Sequence, residues 1–257
     1  MNLTMAEIMG WVGSYLWVLL RVSALISVAP LFGAQGIPRR WQVLAALVIS
    51  LVIAPTLPPP PAVDPLSIAG VLLVAQQLLI GLTMGFVLGM VLASFIQAGE
   101  AMSQGMGLGF AQTIDPQNGV SVPLVSQLLS IVAMLLFISM DGPGLMLKLL
   151  ADSFTWLPIA PVGLTAEDFW RIVGFAQAMF VNAILVALPV IISLLMVNLA
   201  MGVITRAAPQ LNIFSIGFPV TLLIGLFLIW VSSPTWVPDL ERFLHQTLFF
   251  LAQLLRH

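Results

Sequence analysis

An all-α membrane protein built from about six hydrophobic helical segments arranged in hairpins is the fold this sequence predicts, and three observations predict it. Of 257 residues, 60% are hydrophobic and 7% charged, against roughly 25% charged in an ordinary soluble domain. No Lys, Arg, Asp or Glu occurs in 65–99, 172–205 or 207–238. Each of these runs exceeds the ~20 residues needed to cross a hydrocarbon core of about 30 Å. A soluble chain would have to bury all three on every side, which this length can scarcely do.

Taken in order, the apolar segments are Gly10–Leu31, Val43–Pro55, Ile68–Ala98, Pro123–Met140, Ile172–Thr205 and Phe214–Val231. The first opens without a positive n-region, since Glu7 precedes it and no Lys or Arg comes before Arg21, so it does not read as a cleavable signal. The second and fourth are short for a perpendicular crossing and the third and fifth are long, which suits tilted helices packed in an assembly. Between the second and third lies Pro55-Thr56-Leu57-Pro58-Pro59-Pro60-Pro61, stiff and extended because each proline fixes φ and lacks a donor. A second break, Trp156 to Trp170, holds Pro158, Pro161, Glu167 and Asp168 and is bounded by tryptophan, as interfacial segments often are. From Leu240 to Leu255 the pattern is that of an amphipathic helix, polar at Glu241, Arg242, His245 and Gln246. It fits an interfacial helix capping the last span, with docking to a partner as the alternative. Charge leaves orientation open: six spans place Arg39, Arg40 and Arg206 on one side and Lys148, Arg171, Arg242 and Arg256 on the other.

Several chemistries are excluded. Without cysteine there is no disulfide, thiolate metal site or cysteine nucleophile. His245 and His257 are the only histidines and both lie in the tail, so no HExxH helix or Ser-His pair sits among the apolar segments. No phosphate-binding loop and no basic cluster is present, which argues against nucleotide hydrolysis and nucleic acid. No cofactor is implied.

Three constellations remain. Gly81, Gly85 and Gly89 form a small-residue stripe continued by Ala93, Gln97 and Ala101. Such spacing lets a helix approach backbone to backbone, from this chain or from another. The second runs Gly105-Met106-Gly107-Leu108-Gly109-Phe110-Ala111-Gln112-Thr113-Ile114-Asp115-Pro116-Gln117-Asn118-Gly119. Alternating glycines followed by Asp-Pro and Asn-Gly cannot continue a helix stably. One reading is an external loop with a turn at Asp115–Gly119. Met106, Leu108, Phe110 and Ile114 favour another, an apolar non-helical segment lying in protein or lining a cavity, because exposed backbone in lipid would leave its amides unpaired. The third is Arg206-Ala207-Ala208-Pro209-Gln210-Leu211-Asn212, a polar interruption between two long apolar runs. Pro209 stops the incoming helix, Asn212 can bond backbone at the start of the next, and Arg206 complements the C-terminal dipole, which predicts a tight hairpin. Among isolated polar residues, Gln76, Gln77, Gln97, Gln177, Asn182 and Asn198 suit interhelical hydrogen bonds more than a substrate path. Arg21 is either a charge sensor or, more in keeping with such arginines, a group that snorkels or pairs with carboxylate or carbonyl oxygens of a neighbouring helix.

The run from Gly202 through Arg206-Ala207-Ala208-Pro209-Gln210-Leu211-Asn212-Ile213-Phe214 to Pro219 resembles the signature of the FliR family of flagellar export-gate proteins. The segment Gly107–Gly119 resembles a second family segment, and the hydrophobic spacing agrees along the whole length. The resemblance implies a non-enzymatic subunit of the type III protein export gate in the bacterial inner membrane, at the flagellar basal body. It implies a helical hetero-oligomer with FliP and FliQ, with FlhB and FlhA nearby, through which unfolded flagellar subunits pass. It divides residues 1–257, one integral membrane domain, into a FliP-like portion at 1–160 and a FliQ-like hairpin with the C-terminal amphipathic helix at 161–257. It implies a pore plug at Met106, Gly107, Leu108, Gly109, Phe110, Gln112, Asp115, Pro116, Asn118 and Gly119. Helix packing and assembly then fall to Gly81, Gly85, Gly89, Arg206, Pro209, Gln210 and Asn212. The alternative from another class is a small-molecule secondary transporter with broken helices near the midplane. Against it, Glu100, Asp115 and Asp141 lie at segment ends and none is placed for ion coupling within the membrane.

Overall fold

A computed structural model describes residues 5–32, 37–58, 63, 65, 67–108, 124–160, 163–208 and 217–256, with side chains from Tyr15 onward. The described residues form helices and turns and contain no strand. In chain order the helices are α1 (Met5–Val28), α2 (Arg39–Ile53), α3 (Ile68–Gly105), α4 (Leu124–Ser139), α5 (Gly142–Trp156), α6 (Ala166–Ala207), α7 (Phe218–Ser232) and α8 (Trp236–Leu254). Short 3-10 turns at Ala54–Thr56 and Ser233–Thr235 follow α2 and α7. Among the described residues, four helical stretches, α2 with its 3-10 turn, α3, α6 and α7 through α8, are long and apolar enough to cross a membrane. Counting α4 and α5 as one broken span gives a fifth.

Helix ends follow local chemistry. Pro38 precedes α2 in an extended conformation, and the Gln42 side chain donates to the Phe32 carbonyl at 2.6 Å, tying the start of α2 to the chain leaving α1. The α6 start is a capping box: Thr165 N and Oγ1 both donate to Asp168 Oδ2 at 2.8 Å, and Asp168 N donates back to Thr165 Oγ1. This box sets the start at Ala166, six residues ahead of the apolar run at Ile172. Glu167 and Asp168, which read as loop composition, are first-turn acids facing the positive end of the dipole. α6 then runs for 42 residues, through Pro189, or about 63 Å at 1.5 Å per residue. α3 runs for 38 residues and passes the end of its hydrophobic run at Ala98 to reach Gly105.

One helix has no counterpart among the six expected segments. Asp141 takes a left-handed conformation (φ 56°), which ends α4, and the Gly142-Pro143-Gly144 triplet opens α5. A proline in the first turn lacks only an amide that would have no intrahelical partner anyway. Gly144 leaves its open face to the Asp141 carboxylate.

The chain divides into two compact units, each assembled from separated stretches. The first comprises residues 1–90, 141–176 and 244–257, the second 91–140 and 177–243. In the first, α1 packs on α2 and lies against the opening half of α3. The chain end is held there too: Phe250 stacks on Phe175 with ring centroids 4.1 Å apart, and the Arg256 guanidinium lies 4.7 Å from the Trp156 ring centre. In the second, Asn182 on α6 donates to Ser94 Oγ on α3 at 2.9 Å, and Ser94 passes its own proton to the Val91 carbonyl. Gly99 on α3 meets α4 so closely that a methyl group on it would stand 2.6 Å from Ser126 Cα. The amphipathic pattern of the tail is realised in α8. Leu240, Phe243, Leu244 and Leu251 are buried, while Glu241, Arg242, His245 and Gln246 are exposed.

Candidate functional site: the end of α3 and the helix-packing glycines

The glycine stripe faces a helix of this same chain over two of its three members. A methyl group on Gly81 would lie 2.3 Å from the Arg21 carbonyl oxygen and 2.7 Å from Ala24 Cβ. On Gly85 it would lie 2.8 Å from the Leu25 carbonyl oxygen and 3.3 Å from Ala29 N. One turn forward on α3 corresponds to one turn forward on α1, so the two helices run parallel at backbone contact. At Gly89 they have separated, and among the described residues a methyl group there would meet only Val28 O at 3.9 Å.

The same close approach positions Arg21, which is completely buried. Its Nε donates to Gln77 Oε1 on α3 at 2.8 Å. Its Nη1 donates to Ser153 O at 3.0 Å and Ser153 Oγ at 3.2 Å, and its Nη2 to Leu157 O at 2.9 Å. The guanidinium also lies 4.2 Å from the centre of the Phe154 ring. Its partners are therefore an amide, a hydroxyl, a ring and the carbonyls at the C-terminal end of α5, where the helix dipole is negative. Carbonyl oxygens, one of the two partner types open from sequence, take the place of a carboxylate. One side chain thus joins α1, α3 and α5.

The end of α3 is a Schellman motif. Gly107 is left-handed (φ +81°), its amide donates to Gln104 O at 3.0 Å, and the Leu108 amide donates to Ser103 O at 3.0 Å. Only glycine enters that region without strain. Around this terminus the structure gathers side chains from α6 and α7. Asn198 Nδ2 donates to Gly105 O at 3.2 Å, and Leu194 lies 3.3 Å from the position a methyl on Gly105 would take. Thr221 Oγ1 reaches Met106 O at 3.4 Å. Met106 is itself fully buried, its side chain filling the notch at Gly225, where a methyl group would fall 2.6–2.9 Å from Met106 Cγ, Cε and Sδ.

Of the plug residues named from sequence, Met106, Gly107 and Leu108 are thus placed, buried, left-handed and half-buried respectively. Gly109, Phe110, Gln112, Asp115, Pro116, Asn118 and Gly119 lie outside the described residues. Arg206 is exposed in the last turn of α6, and Pro209, Gln210 and Asn212 lie outside the described residues. Gln77, Asn182 and Asn198 make interhelical hydrogen bonds, the use their sequence context favours. Sequence reasoning misses Gly99, Thr221 and Gly225. A lone glycine or threonine in an apolar run gives no signal until the opposing helix is known.

The model of the family described as "Bacterial export proteins, family 1" matches residues 12–247. The chain is 38% identical over 250 residues to the flagellar biosynthetic protein FliR of Pectobacterium carotovorum, covering 97% of this chain and 95% of that one. To FliR of Escherichia coli K12 it is 36% identical over 255 residues, 99% and 97% of the two chains. To FliR of Bacillus subtilis the identity is 30% over 221 residues, 85% of each. A full-length match to export proteins favours protein export over the secondary-transporter alternative and over an enzyme. The family match over residues 12–247 and the relatives matched over nearly their whole length show that the chain belongs to the FliR family of flagellar export proteins, a transport component of the bacterial inner membrane.

Proposed function

We propose that this chain forms, with FliP and FliQ, the channel through which unfolded flagellar subunits cross the inner membrane, with FlhB and FlhA as neighbours, and that Met106–Gly119 closes the channel at rest. The observation that carries the reading is how α3 ends. A 38-residue helix stops at a Schellman glycine whose root is gripped by α6 and α7. Beyond that fixed point comes a stretch whose Gly109, Asp115-Pro116 and Asn118-Gly119 disfavour helix, while Phe110 and Ile114 can exclude water. A segment of that composition, tethered at Met106, can be displaced by a passing chain and return. Residues 161–257 supply the FliQ-like part, α6 and α7 with α8, and residues 1–160 the FliP-like part. Arg206, exposed at the end of α6, with Pro209, Gln210 and Asn212 after it, serves packing against a neighbouring subunit.

The absence of cysteine makes the test clean. In the assembled gate, Phe110→Cys is expected to be shielded from a membrane-impermeant thiol reagent at rest and to crosslink to an export substrate arrested in transit. Free labelling at rest, with no crosslink while substrate fills the channel, would contradict the reading.

A further inference from the structure

The family resemblance implies a plug that includes Met106, yet the Met106 side chain is fully buried in a notch of α7. The geometry points to a socket that fixes the root of the closing segment: Met106 seated on Gly225, with Asn198 and Thr221 as positioning residues for the last turn of α3. This rests on the closing role proposed above and adds what holds that segment in register. Every helix leaves its last four carbonyls without intrahelical partners. Here the Schellman amides take Ser103 O and Gln104 O, and side chains from other helices meet the next two: Asn198 donates to Gly105 O, and the Thr221 hydroxyl, which donates to Phe218 O at 3.0 Å, lies 3.4 Å from Met106 O. Those are the last carbonyls before the glycine that redirects the chain. Local capping would have sufficed to end a helix, whereas a donor 93 residues away and a hydroxyl 115 residues away also fix where the end points.

The notch reinforces this. Gly225 is the position on α7 where a side chain would collide with Met106, its methyl falling 2.6 Å from Met106 Cγ. Phe218, two turns earlier on α7, lies 3.5 Å from the methyl position of Gly107 and so backs the left-handed turn. A thioether chain with three rotatable bonds fills such a notch well. Met106 docked in this notch fixes the position at which the chain leaves α3.

The test reads resting conductance of the purified, assembled gate in lipid bilayers. Gly225→Leu, which fills the notch, and the pair Asn198→Ala with Thr221→Val, which removes the amide donor and the hydroxyl beside it, are expected to assemble and to lose the resting seal. Met106→Ala combined with Gly225→Leu, which exchanges the volumes, is expected to restore it. Should Gly225→Leu fail to assemble, the Asn198 and Thr221 pair alone decides, since Asn198 is exposed and Thr221→Val keeps the shape. Socket variants that stay tight while deletion of Leu108–Gln112 leaks would overturn the socket and leave the plug. A deletion that assembles and stays tight would overturn both.

Discussion

Gly81→Leu is expected to abolish accumulation of the assembled gate, and Gly81→Ala to reduce it. Overpacking a core by added methylenes typically costs about 1–3 kcal/mol. At Gly81 the obstacle is backbone, the Arg21 carbonyl oxygen at 2.3 Å, so relief requires α1 and α3 to part. Parting them also withdraws Arg21 from Gln77, so packing and polar terms fall together. Gly85→Leu should follow closely, because its nearest obstacle is also a carbonyl, at 2.8 Å. Gly89→Leu is the control: with Val28 O at 3.9 Å its neighbours leave ordinary contact distance, and assembly should survive. Size-exclusion yield of the complex after mild detergent extraction checks the order. Equal yields at Gly81 and Gly89 would show that close approach to α1 does not hold the fold.

Arg21→Met should be comparably damaging. It strips the donor from Gln77 Oε1, Ser153 Oγ and Leu157 O, which lie in a buried environment. An acceptor left unpaired in such surroundings costs about 1–3 kcal/mol. Arg21→Lys keeps the charge but loses the planar fork that reaches α3 and both ends of the Ser153–Leu157 turn at once, so it should rescue little. The expected readout is a lowered melting temperature of the complex in detergent for both variants. A melting temperature unchanged by Arg21→Met would mean that α1, α3 and α5 are held by apolar packing alone.

Much of the helical scaffold is legible in the sequence because its signal is composition: charge-free runs of helical length have few alternatives in a membrane protein. What hydropathy misses are helical residues that are polar for local reasons. α5 begins with Gly-Pro-Gly and carries Lys148 and Asp152, so it reads as a connection, although proline belongs in a first turn. Similarly, Thr165–Asp168 reads as a break but is the cap that starts α6. The glycine stripe is visible as a packing face, but its partner is not. Register decides whether a small face meets this chain or another, and register between distant helices leaves no mark in one sequence. For the same reason Arg21 can be narrowed to a buried or snorkelling charge but not to the carbonyls of α5. At residues 105–119, the alternating glycines foretell the end of α3 near Gly105, and the Schellman geometry explains why Gly107 in particular is glycine. The socket is hidden, since Asn198, Thr221 and Gly225 meet Met106 and its neighbours only through tertiary packing.

If this chain carries the seal of a protein-export channel, the conductance of the assembled gate depends on Met106–Gly119. Deleting Leu108–Gln112 removes Phe110 and Gly109 but spares Met106, Gly107 and every helix described above. The gate with that deletion should assemble with normal subunit ratios, conduct small ions at rest and admit small dyes, while the unaltered gate stays closed. Phe110→Asn should leak less than the deletion, because Leu108 and Ile114 remain to exclude water. An assembled deletion gate that stays closed and exports normally would contradict the account.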